Sequence, residues 1–219
     1  MDVIVSAPPG SGILFSASRD GVGSESLVVE TEFTSTASAP YTSMFYVQGT
    51  IQGDDIDDDV PVTIDVFEAG TTNPVGYEQA DFPSDVDVGP SGFLFKDNTI
   101  IDTTTLSPNN EIELYAWLLY DGESGTLHNR RAWQEVRGGH TVALDLANSN
   151  PTVGVIVGAT YIGGDIRGYV EFDPLTAGTT IVDLIQPAGH TTPANYLDYQ
   201  TRTINVDAPD VFLESSPLG

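Results

Sequence analysis

Apolar and polar residues alternate along much of this chain, in short runs divided by Gly, Pro, Asp, Asn and Ser. Between 60 and 68, Val60, Val62, Ile64, Val66 and Glu68 fall on one side of an extended backbone, with Pro61, Thr63, Asp65 and Phe67 on the other. A period of two predicts a half-buried strand. Between 111 and 120, one side holds Ile112, Leu114, Ala116, Leu118 and Tyr120, and the other holds Glu111, Glu113, Tyr115, Trp117 and Leu119. That predicts a strand half-exposed where it begins and buried on both faces where it ends. Val153-Gly154-Val155-Ile156-Val157 reads as a central strand, with Gly154 and Gly158 permitting close packing or a bulge. Further strands are predicted at 12–17, 27–33, 44–51, 92–96, 126–136, 140–145, 167–172, 180–184, 202–206 and 211–213. No segment carries the apolar stripe of a long helix. Pro193 to Asp198 predicts a single short turn, with Thr192 as N-cap.

The pattern is that of an all-β protein, a jelly roll or β-sandwich. Two organisations fit. In the preferred one, residues 1–40 and 138–219 form a β-barrel (jelly-roll) base. An inserted β-sandwich, 41–137, returns through a hinge at Arg137-Gly138-Gly139. The alternative is a single β-barrel over 1–219 with long loops.

Charge adds a second constraint. The 219 residues include 32 Asp and Glu but only 7 Lys and Arg, a formal net charge of -25, and Lys96 is the sole lysine. Such a surface repels itself in dilute buffer. At about 1 M salt the Debye length falls to about 3 Å and the repulsion is screened. The composition therefore reads as adaptation to near-saturated salt. An acidic disordered chain is the competing interpretation, but 9 Phe, 9 Tyr, 2 Trp and a 40% hydrophobic share supply a core. The same negative field argues against nucleic acid as a partner. Cysteine is absent, so neither a disulfide nor a thiolate site exists. The first residues lack a basic stretch followed by a long apolar one, which predicts no signal peptide.

Candidate chemistry is sparse. In Gly53-Asp54-Asp55-Ile56-Asp57-Asp58-Asp59-Val60, the residues Asp55, Asp57 and Asp59 open like a calcium loop. Val60 then stands where the sharp-turn glycine belongs, and Val66 where the bidentate glutamate belongs. What is left is a loose patch for Ca2+ or other cations from high salt, weighed against a solvated acidic turn. No other cofactor is expected. His128, His140 and His190 show no metal-binding spacing. Around the first two lies the one basic cluster, and Arg130, Arg131, Trp133 and Arg137 are its candidate interface residues. They would meet an acidic neighbouring subunit or an anionic head group, or else the arginines pair with the chain's own carboxylates. On a strand, Arg131 and Trp133 share a face.

Gly89-Pro90-Ser91-Gly92-Phe93 resembles a nucleophile elbow but has Phe93 where the second glycine belongs. Pro8-Pro9-Gly10-Ser11-Gly12 lacks the lysine of a phosphate loop. Carboxylate pairs arise by number alone among 32 acids and carry no signal for glycoside hydrolysis. No enzyme is predicted. Trp117 and Trp133 fit either a sugar-stacking platform or a core or interface.

In overall character the chain resembles the single-β-barrel (upright jelly-roll) capsid proteins of icosahedral haloarchaeal viruses with an internal membrane. The features shared are acidity, size, a strand-rich layout, Thr, Gly and Asp turns, and the lack of thiols, leader and cofactor motif. No residue is carried over from the family. The resemblance implies a structural virion protein, made in the host cytoplasm, that self-assembles in high salt. Its partners would be copies of itself and other virion proteins, with membrane contact only as a shell over an internal membrane. The inserted sandwich would be a tower. The alternatives are a turret, spike or decoration protein of a tailed haloarchaeal virus, or a halophile β-sandwich module binding carbohydrate or a cell-surface partner.

Overall fold

The computed structural model describes residues 2–30, 44–50, 57–71, 73, 85–119, 132–158, 160–192 and 194–209. The chain is all-β, of the β-sandwich or jelly-roll class, and its strands fall into two groups with separate cores.

The first group comprises β1 (Asp2–Ser6), β2 (Ile13–Ser16), β3 (Ser26–Glu30), β4 (Tyr46–Gly49), β5 (Asp57–Pro61), β6 (Thr63–Phe67) and β7 (Asp85–Val88). Strand β1 lies between β3 and β6, β2 pairs with β4, and β5 pairs with β7. Val5, Ile13, Phe15, Val60, Val62 and Val88 bury against one another as its core. The predicted alternation at 60–67 is present, since Val60 and Val62 are buried while Pro61, Thr63 and Asp65 are exposed. The run is nevertheless two strands. It breaks at Val62, so β5 and β6 pair with different partners, β7 and β1.

The second group comprises β8 (Ser91–Phe95), β9 (Ile101–Thr104), β10 (Asn110–Leu118), β11 (Ala132–Trp133), β12 (Thr141–Ala143), β13 (Asp145–Asn148), β14 (Gly154–Val157), β15 (Thr160–Ile162), β16 (Arg167–Pro174), β17 (Gly178–Ile185) and β18 (Thr201–Asp207). A five-stranded sheet runs β11-β10-β16-β14, with β8 also on β10. A four-stranded sheet runs β13-β17-β18-β9, in which β18 and β9 are parallel. Phe93, Phe95, Leu114 and Phe172 from the first meet Val182, Leu184, Ile204 and Val206 from the second. Along β16 every second residue is buried, so Arg167, Tyr169, Glu171 and Asp173 all point outward. Strand β10 has the predicted character. Glu111 is exposed, while Tyr115, Ala116 and Trp117 are successively buried. Its second half is covered outside as well as inside, by Leu94, Ile166, Tyr196 and Tyr199.

The expected division into 41–137 and the rest does not follow this pairing. Strands β8 and β10 share a sheet with β14 and β16, and β9 pairs with β18. The two groups part near Gly89. The apolar end of β10 lies between β8 and β11, but its first part, Asn110 to Tyr115, pairs with β16 from beyond residue 137. The expected hinge is instead a packed junction. A Cβ on Gly138 would lie 2.1 Å from the Gly21 carbonyl oxygen, and Gly139 has a φ of 72°. Only glycine permits that approach.

Strands β1, β7, β9 and β15 were not predicted, and the expected 140–145 strand is split between β12 and β13. Of 126–136, the described part forms only β11. The expected strand at 211–213 lies outside the described residues. The predicted short turn is a 3-10 helix, Ala194–Tyr199.

Candidate functional site

Two places concentrate the side chains that run against the chain's composition. The first is a cleft between the two strand groups, with a volume of about 530 Å³. Strands β4 and β7 form one side, and β8 with the segment 134–142 forms the other. Its walls include the buried Ile13, Val88, Phe93 and Val142.

A strap built from residues 186–191 shapes one end of the cleft. Gln186 donates to the Phe93 carbonyl at 2.6 Å and accepts from the Phe93 N–H at 3.0 Å. The Thr191 N–H donates to the Ser91 carbonyl at 3.1 Å. Gly92 makes room, because a Cβ there would meet the Thr191 carbonyl oxygen at 2.0 Å. The strap closes the free edge of β8, which would otherwise invite another strand. It also brings His190 Nδ1 to 2.9 Å from Ser91 Oγ, and stacks the imidazole edge-on to Phe93 at 5.0 Å. Burial pushes the His190 imidazole below its ordinary value, and His140 adds to that.

At the mouth, Arg137 and His140 bracket a tight turn closed by the His140 N–H on the Arg137 carbonyl at 3.2 Å. Burial, then the Arg137 charge, push His140 below its ordinary value. Glu135 also lines the cleft, but both its oxygens are held by Arg19: Nε donates to Oε2 at 2.7 Å and Nη2 to Oε1 at 2.5 Å. This fork joins the two strand groups, with Nη2 also donating to the Gly164 carbonyl at 2.9 Å.

The second place is the outward face of the five-stranded sheet. Trp133 lies opposite Trp117 across β11 and β10, 5.9 Å away ring to ring, and is tilted over Tyr115 at 4.9 Å. Tyr115 and Trp117 are buried, whereas Trp133 is 54% exposed. Arg167 stacks over the Tyr115 ring at 5.8 Å. Glu113 binds Lys96 at 2.6 Å and Arg167 at 3.4 Å, and accepts from the Tyr115 hydroxyl at 3.0 Å. Lys96, with Tyr115 and Arg167 beside it, holds the Glu113 carboxyl below the usual carboxylate range. Tyr169, Val155 and Val157 continue the face toward the β14 edge, each exposed.

Of the candidate interface, Trp133 and Arg137 are described: Trp133 stands on the outward face of the five-stranded sheet and also borders the cleft, which Arg137 lines as well. Arg130 and Arg131 lie outside the described residues, as do Asp55 and His128. Asp57 and Asp59 sit on β5, not in the solvated turn expected of the acidic patch. They belong to a strand because Val60 and Pro61 pair with Val86 and Asp85, with a register shift between Asp57 and Val60. Among the described residues, no group of three or more His, Asp or Glu is placed to hold a metal ion.

The Ser91–His190 pair and the Arg19–Glu135 fork were missed from sequence. Each joins residues about a hundred positions apart, and only the elbow-like Gly89 to Phe93 run drew attention to Ser91. A serine-hydrolase triad needs a third group orienting the ring, and among the described residues His190 has no side-chain hydrogen-bond partner besides Ser91. No protein-family model matches the sequence, and comparison with curated proteins likewise finds no match.

Proposed function

We propose that this chain is a structural virion (capsid) protein of a haloarchaeal virus, assembling through contacts between copies in concentrated salt. The observation that supports the reading is the outward face of the five-stranded sheet. Trp133, Tyr169, Val155 and Val157 stand exposed there, beside the Lys96–Glu113–Arg167 network. In a chain of net charge -25, most surfaces repel a second copy. A face with aromatic anchors and both signs of charge is where copies can meet, since Trp, Tyr and Arg dominate contact energetics. A turret, spike or decoration role would use the same face.

A second reading has one specific observation in its favour. The Trp133 ring, exposed and backed by Tyr115, has the form of a sugar-stacking surface. A carbohydrate-binding module would use it as a monomer.

The deciding experiment is light scattering in salt above about 1 M, followed by electron microscopy. Rings or arrays are expected, with contacts burying more than about 1,000 Å². A chain that stays monomeric at high concentration, and whose Trp133 fluorescence responds to oligosaccharides, would overturn the structural reading.

A further inference from the structure

The cleft between the strand groups holds an electrostatic exception. The described residues include five Lys and Arg: Arg19, Lys96, Arg137, Arg167 and Arg202. Four are in ion pairs, with Glu135, Glu113, Glu113 and Asp97. Arg137 alone among them is in none. Both described histidines, His140 and His190, line the same cleft, and neither is in an ion pair with a described acid. Burial and the Arg137 charge lower the His140 imidazole, and burial followed by His140 lowers that of His190. Glu135, the acid on the lining, is spent on Arg19. Among the described residues, one half-buried arginine and two imidazoles thus share a cleft with no acid paired to them.

A concave site lined by one sign of charge concentrates the opposite charge. The planar fork of a guanidinium matches a carboxylate through two parallel hydrogen bonds. Ile13, Val88, Phe93 and Val142 make part of the wall apolar, and about 530 Å³ is the size of a small-molecule site. Chloride, a sphere, would use neither the fork nor these walls.

We infer that the cleft binds a small organic carboxylate, its anionic end on Arg137 beside His140 and the Ser91–His190 pair, its hydrocarbon part against the Phe93 side. Trp133 borders both the cleft and the outward face, but Arg137 and the two histidines are not among the residues of that face, so the inference does not rest on the proposed function.

The test uses the full chain in concentrated salt, with benzoate as probe and benzamide as its uncharged isostere, followed by saturation-transfer NMR. Benzoate is expected to bind saturably and about tenfold or more tighter than benzamide. Arg137→Gln is expected to weaken benzoate at least about tenfold, and Arg137→Lys, which keeps the charge without the fork, by a smaller factor. Arg167→Gln, on the outer face, should leave it unchanged. Near-UV circular dichroism establishes that each variant is folded, and the Lys variant carries the test if the Gln variant is not. Equal binding of the two probes, unchanged benzoate affinity in both Arg137 variants, or no saturable benzoate signal would each overturn the inference.

Discussion

The two outward faces of the second strand group are built from the same alternation but carry opposite surface chemistry. On the four-stranded sheet, Ile181 and Ile185 are exposed among Thr179, Thr201, Asp102, Asp145 and Asp207. Thr179 donates to Asn205 at 2.9 Å, and Asn205 to Asp102 at 2.9 Å, a polar ladder across β17, β18 and β9. The arginine of this sheet, Arg202, is buried and turned to the Asp97 carboxylate and carbonyl. The five-stranded sheet instead gathers Lys96, Arg167, Tyr169 and Trp133 on its outside. Acidity in this chain is therefore not spread evenly. One face presents Thr, Asn and Asp, and the other gathers cations and aromatic rings.

The largest test of this contrast is salt. With net charge -25, dialysis to dilute buffer is expected to unfold the chain. A sharp cooperative melt retained there would show that charge is not what shapes either face. Next in size is a pair of substitutions on β16. Phe172→Ala, facing the core, is expected to cost about 3–5 kcal/mol. Tyr169→Ala, facing out on the same strand, should cost no more than about 0.5 kcal/mol. Urea titrations in concentrated salt would compare them, and equal losses would dissolve the distinction between inside and outside.

Smaller again is the effect on association. Trp133→Ala is expected to weaken self-association by about 2 kcal/mol, roughly thirtyfold. Ile181→Ala, on the four-stranded face, should change it less than about twofold. Concentration-dependent light scattering reads both, and a reversed order would move the contact to the other sheet.

The smallest effect is that of pH. The folded His190 has a lowered pKa, so its contribution is present above its unfolded value of about 6.5 and fades as pH falls. Glu113 is also lowered in the fold. Its contribution is present above the unfolded value of about 4.3 and is lost as pH drops through the folded one. Thermal melts of Glu113→Gln should show less acid sensitivity than the parent below that value, with the His190 limb intact.

Local patterns were readable in the sequence where one face of a strand decides burial. The alternation from Val60 to Phe67 and the change of character along β10 both follow from residues touching only their own strand's two sides. Strand β9 was missed because Asp102, Thr103 and Thr104 are not apolar. Thr103 is buried through a parallel partner far along the chain and hydrogen-bonds Asn110 at 3.0 Å. Strand β1 was missed because its Val3-Ile4-Val5 run is short and was weighed only as a leader. The division into strand groups is hidden for a related reason: β9 and β10 pair with β18 and β16, strands far beyond residue 137. The candidate site was less legible still. Arg137 and Trp133 were found because basic residues are rare here. That both border one cleft follows from the irregular backbone after β11, which a strand alternation does not express.

The parallel pairing of β18 with β9 has a consequence in time. In the four-stranded sheet β18 is an inner strand, between β17 and β9, and it follows every other described strand in the chain. Until it has been synthesised, β9 has no partner in its sheet, and the core lacks Ile204 and Val206. At roughly 5–20 residues per second on the ribosome, β9 waits several seconds with its side of the core open. A nascent chain of this design is exposed to wrong partners until residues 201–207 have emerged, and only then can its four-stranded sheet be completed.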